Sequence, residues 1–132
     1  KKRCVHDKRI KYFGYVAKNE ILQLQQKVTV LVNPRNNEGE YTRYSFPSKT
    51  MEYLMSGKPV IMYKLDGIPN EYDPFLYYIV GNSPRDIANK IVEVTKKSQA
   101  ELDELGNRAR QFVMENKNHI IQARKILSLF SK

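Results

Sequence analysis

The most informative segment of this chain reads Arg43-Tyr44-Ser45-Phe46-Pro47-Ser48-Lys49-Thr50-Met51-Glu52-Tyr53-Leu54-Met55-Ser56-Gly57-Lys58-Pro59-Val60-Ile61. Its order predicts a loop, a helix, a tight turn and a strand. Ser45 and Ser48 offer hydroxyl caps, and Pro47 suits a first helical turn because its missing N–H is not needed there. Gly57 suits the helix C-terminus. A helix that feeds a short apolar strand is the repeating unit of a parallel α/β sheet.

The start of this predicted helix has the composition of an anion site. The backbone N–H groups of Ser48, Lys49 and Thr50 would be unpaired donors, and the helix dipole with the Lys49 ammonium favours an anion such as a diphosphate. Glu52 lies four residues after Ser48, one turn along the same face, where a carboxylate suits two ribose hydroxyls. The alternative is that Ser48 is only a cap and Glu52 a solvated helix residue.

Residues 46–61 resemble the donor-site motif of GT-B glycosyltransferases, especially the retaining group 1 enzymes that build bacterial surface polysaccharides. The similarity covers most of residues 8–80 in the family's order. Residues 8–16 resemble the strand and glycine beside the nucleobase, and residues 30–35 the next strand with its exit. Residues 66–72 resemble the Gly-Ile-Pro-Glu loop that follows the strand after residue 59.

The resemblance implies an α/β fold with a Rossmann-like parallel sheet of about four strands flanked by helices, the C-terminal half of a GT-B fold. It implies transfer of a hexosyl group from a nucleotide-diphosphate sugar, as substrate, to a saccharide or lipid-linked acceptor, without metal or cofactor. No catalytic residue is assigned. The predicted donor-binding residues comprise the helix start with its ribose-binding glutamate, residues packing on the base, and residues of the preceding loop: Pro47, Ser48, Lys49, Thr50, Glu52, Tyr15, Val16, Tyr44 and Arg35.

One position departs from the family's pattern. The motif usually carries two glutamates separated by seven residues, and Tyr44 occupies the place of the first. Because that glutamate sits near the transferred sugar in the family, a non-catalytic nucleotide-binding relative is the first alternative to a transferase.

Composition is that of one globular domain. The chain has 132 residues, 41% hydrophobic and 28% charged. Its single cysteine, Cys4, forms no internal disulfide, and no apolar run is long enough for a membrane span. We therefore expect a cytoplasmic protein without a signal peptide or membrane span. His6 and His119 lack companions at metal-ligand spacing, so no metal site is predicted.

The net charge of +9 raises the question of anionic partners. Lysine and arginine are spread along the chain without an Arg-rich block, which disfavours nucleic acid. Peripheral contact with an anionic membrane at its inner face fits better. A basic module that binds polyanions or membrane surfaces is therefore the second alternative function.

The remaining segments predict a polar tail over residues 1–9, strands over 10–16, 28–32 and 75–80, and a helix over 18–26. Residues 33–45 are predicted as a mobile flap, with Arg35 and Arg43 as phosphate or acceptor contacts. Ser83, Ser98 and Asn118 open three final helices. By resemblance, two central strands and the N-terminal acceptor domain are absent, so we expect a fragment that binds but does not turn over, with Phe130 exposed or swapped. Homodimerisation is the alternative way to complete the sheet.

Overall fold

The structure is a computed structural model that describes residues 2–36, 44 and 46–130. The elements follow one another as α1 (Lys2–His6), α2 (Lys18–Lys27), β1 (Leu31–Asn33), α3 (Ser48–Met55), β2 (Val60–Tyr63), a 3₁₀ helix (Asn70–Phe75), β3 (Leu76–Ile79), α4 (Pro84–Thr95), α5 (Gln99–Asn116) and α6 (His119–Leu129).

The three strands form one parallel sheet in the order β1-β2-β3. Leu31 pairs with Val60, and Val60 pairs with Leu76. All four residues of the central strand β2 are buried, as expected for a parallel strand covered on both faces. The predicted α/β class with a parallel sheet flanked by helices is therefore confirmed.

The predicted strand over residues 10–16 is wrong, so the described residues contain three strands rather than about four. This segment is irregular, and Ile10, Tyr12 and Phe13 are all exposed. A strand needs a neighbour to pair its backbone N–H and C=O groups, and no described strand lies beside this segment. Gly14 takes a positive φ of 66°, which an extended strand does not allow.

Two further predictions need correction. Residues 1–9 are not only a polar tail, because α1 forms there. The loop after β2 contains the 3₁₀ helix, and β3 begins at Leu76 rather than at residue 75. Both corrections concern short helices, which are too short to show the repeated apolar spacing that predicts a helix from sequence.

The last three helices begin as predicted because each has a local cap. The Ser83 hydroxyl accepts from the N–H of Asp86, and the Ser98 hydroxyl accepts from the N–H of Glu101; both pairs form complete capping boxes. Asn118 Oδ1 accepts from the N–H of Ile121 at 2.9 Å.

The core gathers around β2 and the helix that precedes it. Its best-buried side chains come from α3, β2, the loop after β2, α4 and α5: Leu54, Val60, Ile61, Met62, Leu65, Val94, Leu102 and Ala109. Helix α5 packs on α3, and α4 packs on β3. Helix α6 has no buried residue, and Phe130 after it is 80% exposed, which agrees with the expectation of an exposed Phe130.

Candidate functional site

The topology brings the start of α3 to the carboxyl edge of the sheet. Helix α3 lies between the parallel strands β1 and β2, so it runs opposite to them and its N-terminus faces the edge at which Asn33 and Tyr63 end their strands. Ligands of open parallel sheets bind at this edge. Helix α2 precedes β1 and begins at the same edge, which places Lys18 there as well.

Among the residues that the structure describes, no side chain caps the N-terminus of α3. Pro47, a buried residue, occupies the N-cap position, and Ser48 is the first helical residue, so the Ser48 hydroxyl does not cap the helix as predicted. The predicted free N–H of Thr50 is also wrong, because it donates to the Pro47 carbonyl at 2.8 Å. The Thr50 hydroxyl is buried against Met62 Sδ at 3.8 Å. Within residues 2–36, 44 and 46–130, the N–H groups of Ser48 and Lys49 find no acceptor.

Glu52 lies one turn below this helix start and is held by two donors. Gln25 Nε2 of α2 donates to Glu52 Oε1 at 2.6 Å, and Lys49 Nζ donates to the same oxygen at 3.0 Å. The Glu52 side chain is 25% exposed. The second carboxylate oxygen, Oε2, has no partner among the residues that the structure describes. Glu52 is therefore an anchored carboxylate and not a freely solvated helix residue.

The contacts of Glu52 favour its ionised form. The hydrogen bond from Gln25 lowers the pKa of Glu52 most, partial burial opposes that shift, and Lys49 and Lys18 lower the pKa further. The net direction is downward from the usual range of a glutamate. Glu52 is therefore a carboxylate at neutral pH, able to accept hydrogen bonds but not to donate one.

Gln25 is a residue of this site that the sequence reasoning missed. It is only 4% exposed, and its Oε1 is a buried polar atom without a hydrogen-bond partner among the described residues. The available signal was its position, because Gln25 lies four residues after Ile21 and one after Leu24, on the apolar stripe of α2. An amide among such residues needs a partner, and here the partner is Glu52.

The two predicted base-packing residues, Tyr15 and Val16, line a cleft beside α2 that is separate from the cavity at Glu52. Tyr15 and Val16 border a cleft of about 340 Å³ together with Phe13, Glu20, Gln23, Leu24 and Lys27. Tyr15 is 99% exposed, so none of the described residues packs against its ring. Glu52 borders a different, smaller cavity of about 140 Å³ between α2 and α3. The structure thus places Tyr15 and Glu52 on the two sides of one helix, and not in one pocket.

The predicted loop residues are only partly described. Tyr44 is 82% exposed, and the N–H of Arg35 donates to Asn33 Oδ1 at 3.3 Å, which ties the start of the loop to the end of β1. Arg43 and Ser45 lie outside the described residues. Binding by Tyr44 or Arg35 stays a prediction.

The described residues contain neither a cluster of metal-ligating side chains nor a membrane-spanning helix. No three His, Cys, Asp or Glu side chains there come together as they would around a metal ion. No helix in the same part of the chain is long and apolar enough to cross a membrane.

Residues 1–97 match the family described as glycosyl transferases group 1. The match covers well over half of the chain, and the chain belongs to this family. Its parallel sheet with flanking helices is a Rossmann-like half of a GT-B fold, and its general activity is glycosyl transfer. No curated protein and no solved structure matched the chain.

Proposed function

We propose that this chain carries the nucleotide-sugar donor site of a hexosyltransferase of surface polysaccharide synthesis, acting on a saccharide or lipid-linked acceptor. The donor's diphosphate binds at the start of α3, on the N–H groups of Ser48 and Lys49. Glu52 accepts hydrogen bonds from the ribose hydroxyls, and the nucleobase packs in the cleft of Tyr15 and Val16. The leaving diphosphate is stabilised by the helix dipole and the Lys49 ammonium, without metal.

The observation that carries this proposal is the pairing of Glu52 with an uncapped helix start. The N–H groups of Ser48 and Lys49 point out of the N-terminus of α3, where the positive end of the dipole lies. One turn away, Glu52 is kept ionised and has one oxygen without a partner among the described residues. The two N–H groups can bind a phosphate, and the Glu52 carboxylate one turn away can accept hydrogen bonds from hydroxyls. This spacing fits a ribose with its attached phosphate.

The base subsite rests on exposed aromatic surface. Tyr15 lies in a cleft whose volume, about 340 Å³, is within the range of small-molecule sites. A flat aromatic ring as exposed as that of Tyr15 can stack on a nucleobase. In this part of the proposal, the nucleotide passes around the start of α2, at the edge where α2 and α3 both begin. Its diphosphate then lies at α3 and its base in the cleft of Tyr15.

The acceptor side is proposed from charge. The net charge of +9 supports peripheral binding to the cytoplasmic face of an anionic membrane, where the protein would meet a lipid-linked acceptor.

The experiment is a heteronuclear NMR titration of the chain with UDP, GDP, ADP and inorganic pyrophosphate. Saturable shifts at residues 47–53 and 14–16 that favour one nucleotide are expected. Glu52→Gln should weaken binding of that nucleotide about tenfold, as for one lost hydrogen bond to a charged group, but should not weaken binding of pyrophosphate, because it only releases Lys49 from its ion pair. Glu93→Gln is the matched control, because Lys90 and Glu93 form the same i,i+3 ion pair on α4.

The same titration separates the alternatives. Diffuse shifts that vanish with added salt and show no nucleotide preference would contradict the proposal and favour a basic polyanion-binding module. Selective nucleotide binding without sugar transfer, once an acceptor domain is supplied, would favour the non-catalytic relative that Tyr44 suggests.

A further inference from the structure

We propose that Gln25 is a positioning residue for the donor site, which orients the Glu52 carboxylate towards the ribose hydroxyls. This inference rests on the function proposed above and assigns a role to a residue outside the helix that carries the site. Gln25 lies on α2, 27 residues before Glu52 in sequence, and reaches it at 2.6 Å.

The hydrogen bond fixes which oxygen faces the ligand. Gln25 Nε2 and Lys49 Nζ both donate to Glu52 Oε1, which leaves Oε2 with no partner among the described residues. Of the two donors only Gln25 is rigidly placed, because it is 4% exposed whereas the Lys49 side chain is 57% exposed. A buried amide holds one geometry, whereas an exposed lysine samples several. Gln25 therefore sets the direction of the carboxylate.

The burial of Gln25 has a cost that packing does not explain. Its Oε1 is buried without a partner in the described part of the chain, and burying an unpaired carbonyl is unfavourable. A leucine or methionine at this position of the apolar stripe would avoid that cost. The opposite amide orientation would bring Oε1 against the carboxylate of Glu52. What favours the observed arrangement is the hydrogen bond that Gln25 Nε2 donates to Glu52. Such a bond is expected when a supporting residue orients a functional one.

The neighbouring residue supplies a matched control. Gln26 borders the same cavity between α2 and α3, but it is exposed and makes no hydrogen bond to Glu52. Replacing either glutamine by methionine removes one amide from the same turn of α2 and keeps the length of the side chain. Only Gln25→Met removes the donor to Glu52.

The test measures the Kd of the preferred nucleoside diphosphate, the Kd of pyrophosphate, and the carboxyl titration of Glu52 by NMR. Gln25→Met should weaken binding of the nucleotide about tenfold and leave the Kd of pyrophosphate unchanged. It should also raise the pKa of Glu52. Gln26→Met should change none of the three. In the background of Glu52→Gln, the further loss from Gln25→Met should disappear, because the two residues act as one unit.

Gln25→Glu gives a second test should the methionine variant not fold. Two carboxylates at this separation share one proton, so the pair can regain a hydrogen bond only in acid. The affinity of this variant for the nucleotide, taken relative to that of the wild type at the same pH, should fall as the pH rises from about 5 to about 8; the comparison at equal pH cancels the titration of the ligand's own terminal phosphate.

The outcomes distinguish this inference from the proposed function. If the wild type binds a nucleotide selectively and Gln25→Met binds it equally well, the positioning role is overturned and the donor site stands. If Gln25→Met weakens nucleotide and pyrophosphate alike, Gln25 acts only on the packing of α2 against α3, and the positioning role is again overturned. If the wild type binds no nucleotide, the donor site itself fails and this inference fails with it.

Discussion

Replacing Gly106 by alanine should destabilise this protein, although the same change in most helix interiors stabilises. Gly106 lies within α5 at the place where this helix crosses the turn after α3. A Cβ added there would lie 2.0 Å from the Gly57 carbonyl oxygen and 2.6 Å from its carbonyl carbon. Both are backbone atoms, so no side-chain rotation relieves the overlap.

The size of the effect follows from the displacement that alanine requires. Cβ atoms essentially never come within 3.0 Å of such neighbours, so α5 would have to move about 1 Å away from the turn. Leu102 and Ala109, which share the buried face of α5, would move with it. Overpacking of this kind costs about 3 kcal/mol, and alanine returns about 1 kcal/mol of helix propensity. The net loss is about 2 kcal/mol, or a fall in Tm of roughly 6–10 °C for a chain of this length.

Thermal and urea unfolding followed by circular dichroism would measure this change. Asn107→Ala is the control, because this exposed neighbour also gains helix propensity, and its side chain, which borders the turn at Gly57, only loses atoms there. It should leave Tm unchanged or slightly higher. A Gly106→Ala protein with a Tm equal to or above that of the control would refute the close approach of α5 to Gly57.

The remaining predictions concern the start of α5. Ser98→Ala removes the hydroxyl that accepts from the N–H of Glu101, and it should lower the free energy of unfolding by about 1 kcal/mol in urea titrations, whereas Ser128→Ala, at an exposed non-capping serine, should not. The hydrogen bonds from the Ser98 side chain and backbone lower the pKa of Glu101. A lowered folded-state pKa contributes stability that is present above the unfolded pKa of about 4 and is lost as the pH falls through the folded value. The deficit of Glu101→Gln at pH 7 should therefore shrink in acid; a deficit that persists unchanged at about pH 2 would contradict this assignment.

The final three helices were predictable because their signals are local. Ser83 with Asp86, and Ser98 with Glu101, satisfy each other's backbone donors within four residues, so the sequence contains the whole interaction. The strand predicted over residues 10–16 failed for the opposite reason. Its apolar and aromatic residues have strand propensity, but a strand exists only beside another strand, and none of those described lies there.

In the candidate site, too, the local features could be predicted from the sequence and the contact between distant segments could not. Glu52 and the α3 N-terminus were readable from one segment, since the helix spacing itself sets their distance. Gln25 was not, because its contact with Glu52 depends on how α2 packs against α3. The predicted N–H donor of Thr50 failed on a smaller scale, since the first turn tightens and gives that N–H to the Pro47 carbonyl.

In the proposed donor complex, the two hydrogen bonds that Glu52 Oε1 accepts would respond differently to the ligand. Lys49 and Glu52 form a surface ion pair with an exposed lysine, and pairs of this kind contribute about 0.5 kcal/mol. A diphosphate at the start of α3 can therefore draw the Lys49 ammonium towards itself at little cost. That movement frees a lone pair of Oε1, while Gln25 keeps the carboxylate in place. Under the proposed function, both oxygens of Glu52 would then be available to the two ribose hydroxyls, so binding of the phosphates would prepare Glu52 to accept hydrogen bonds from the ribose.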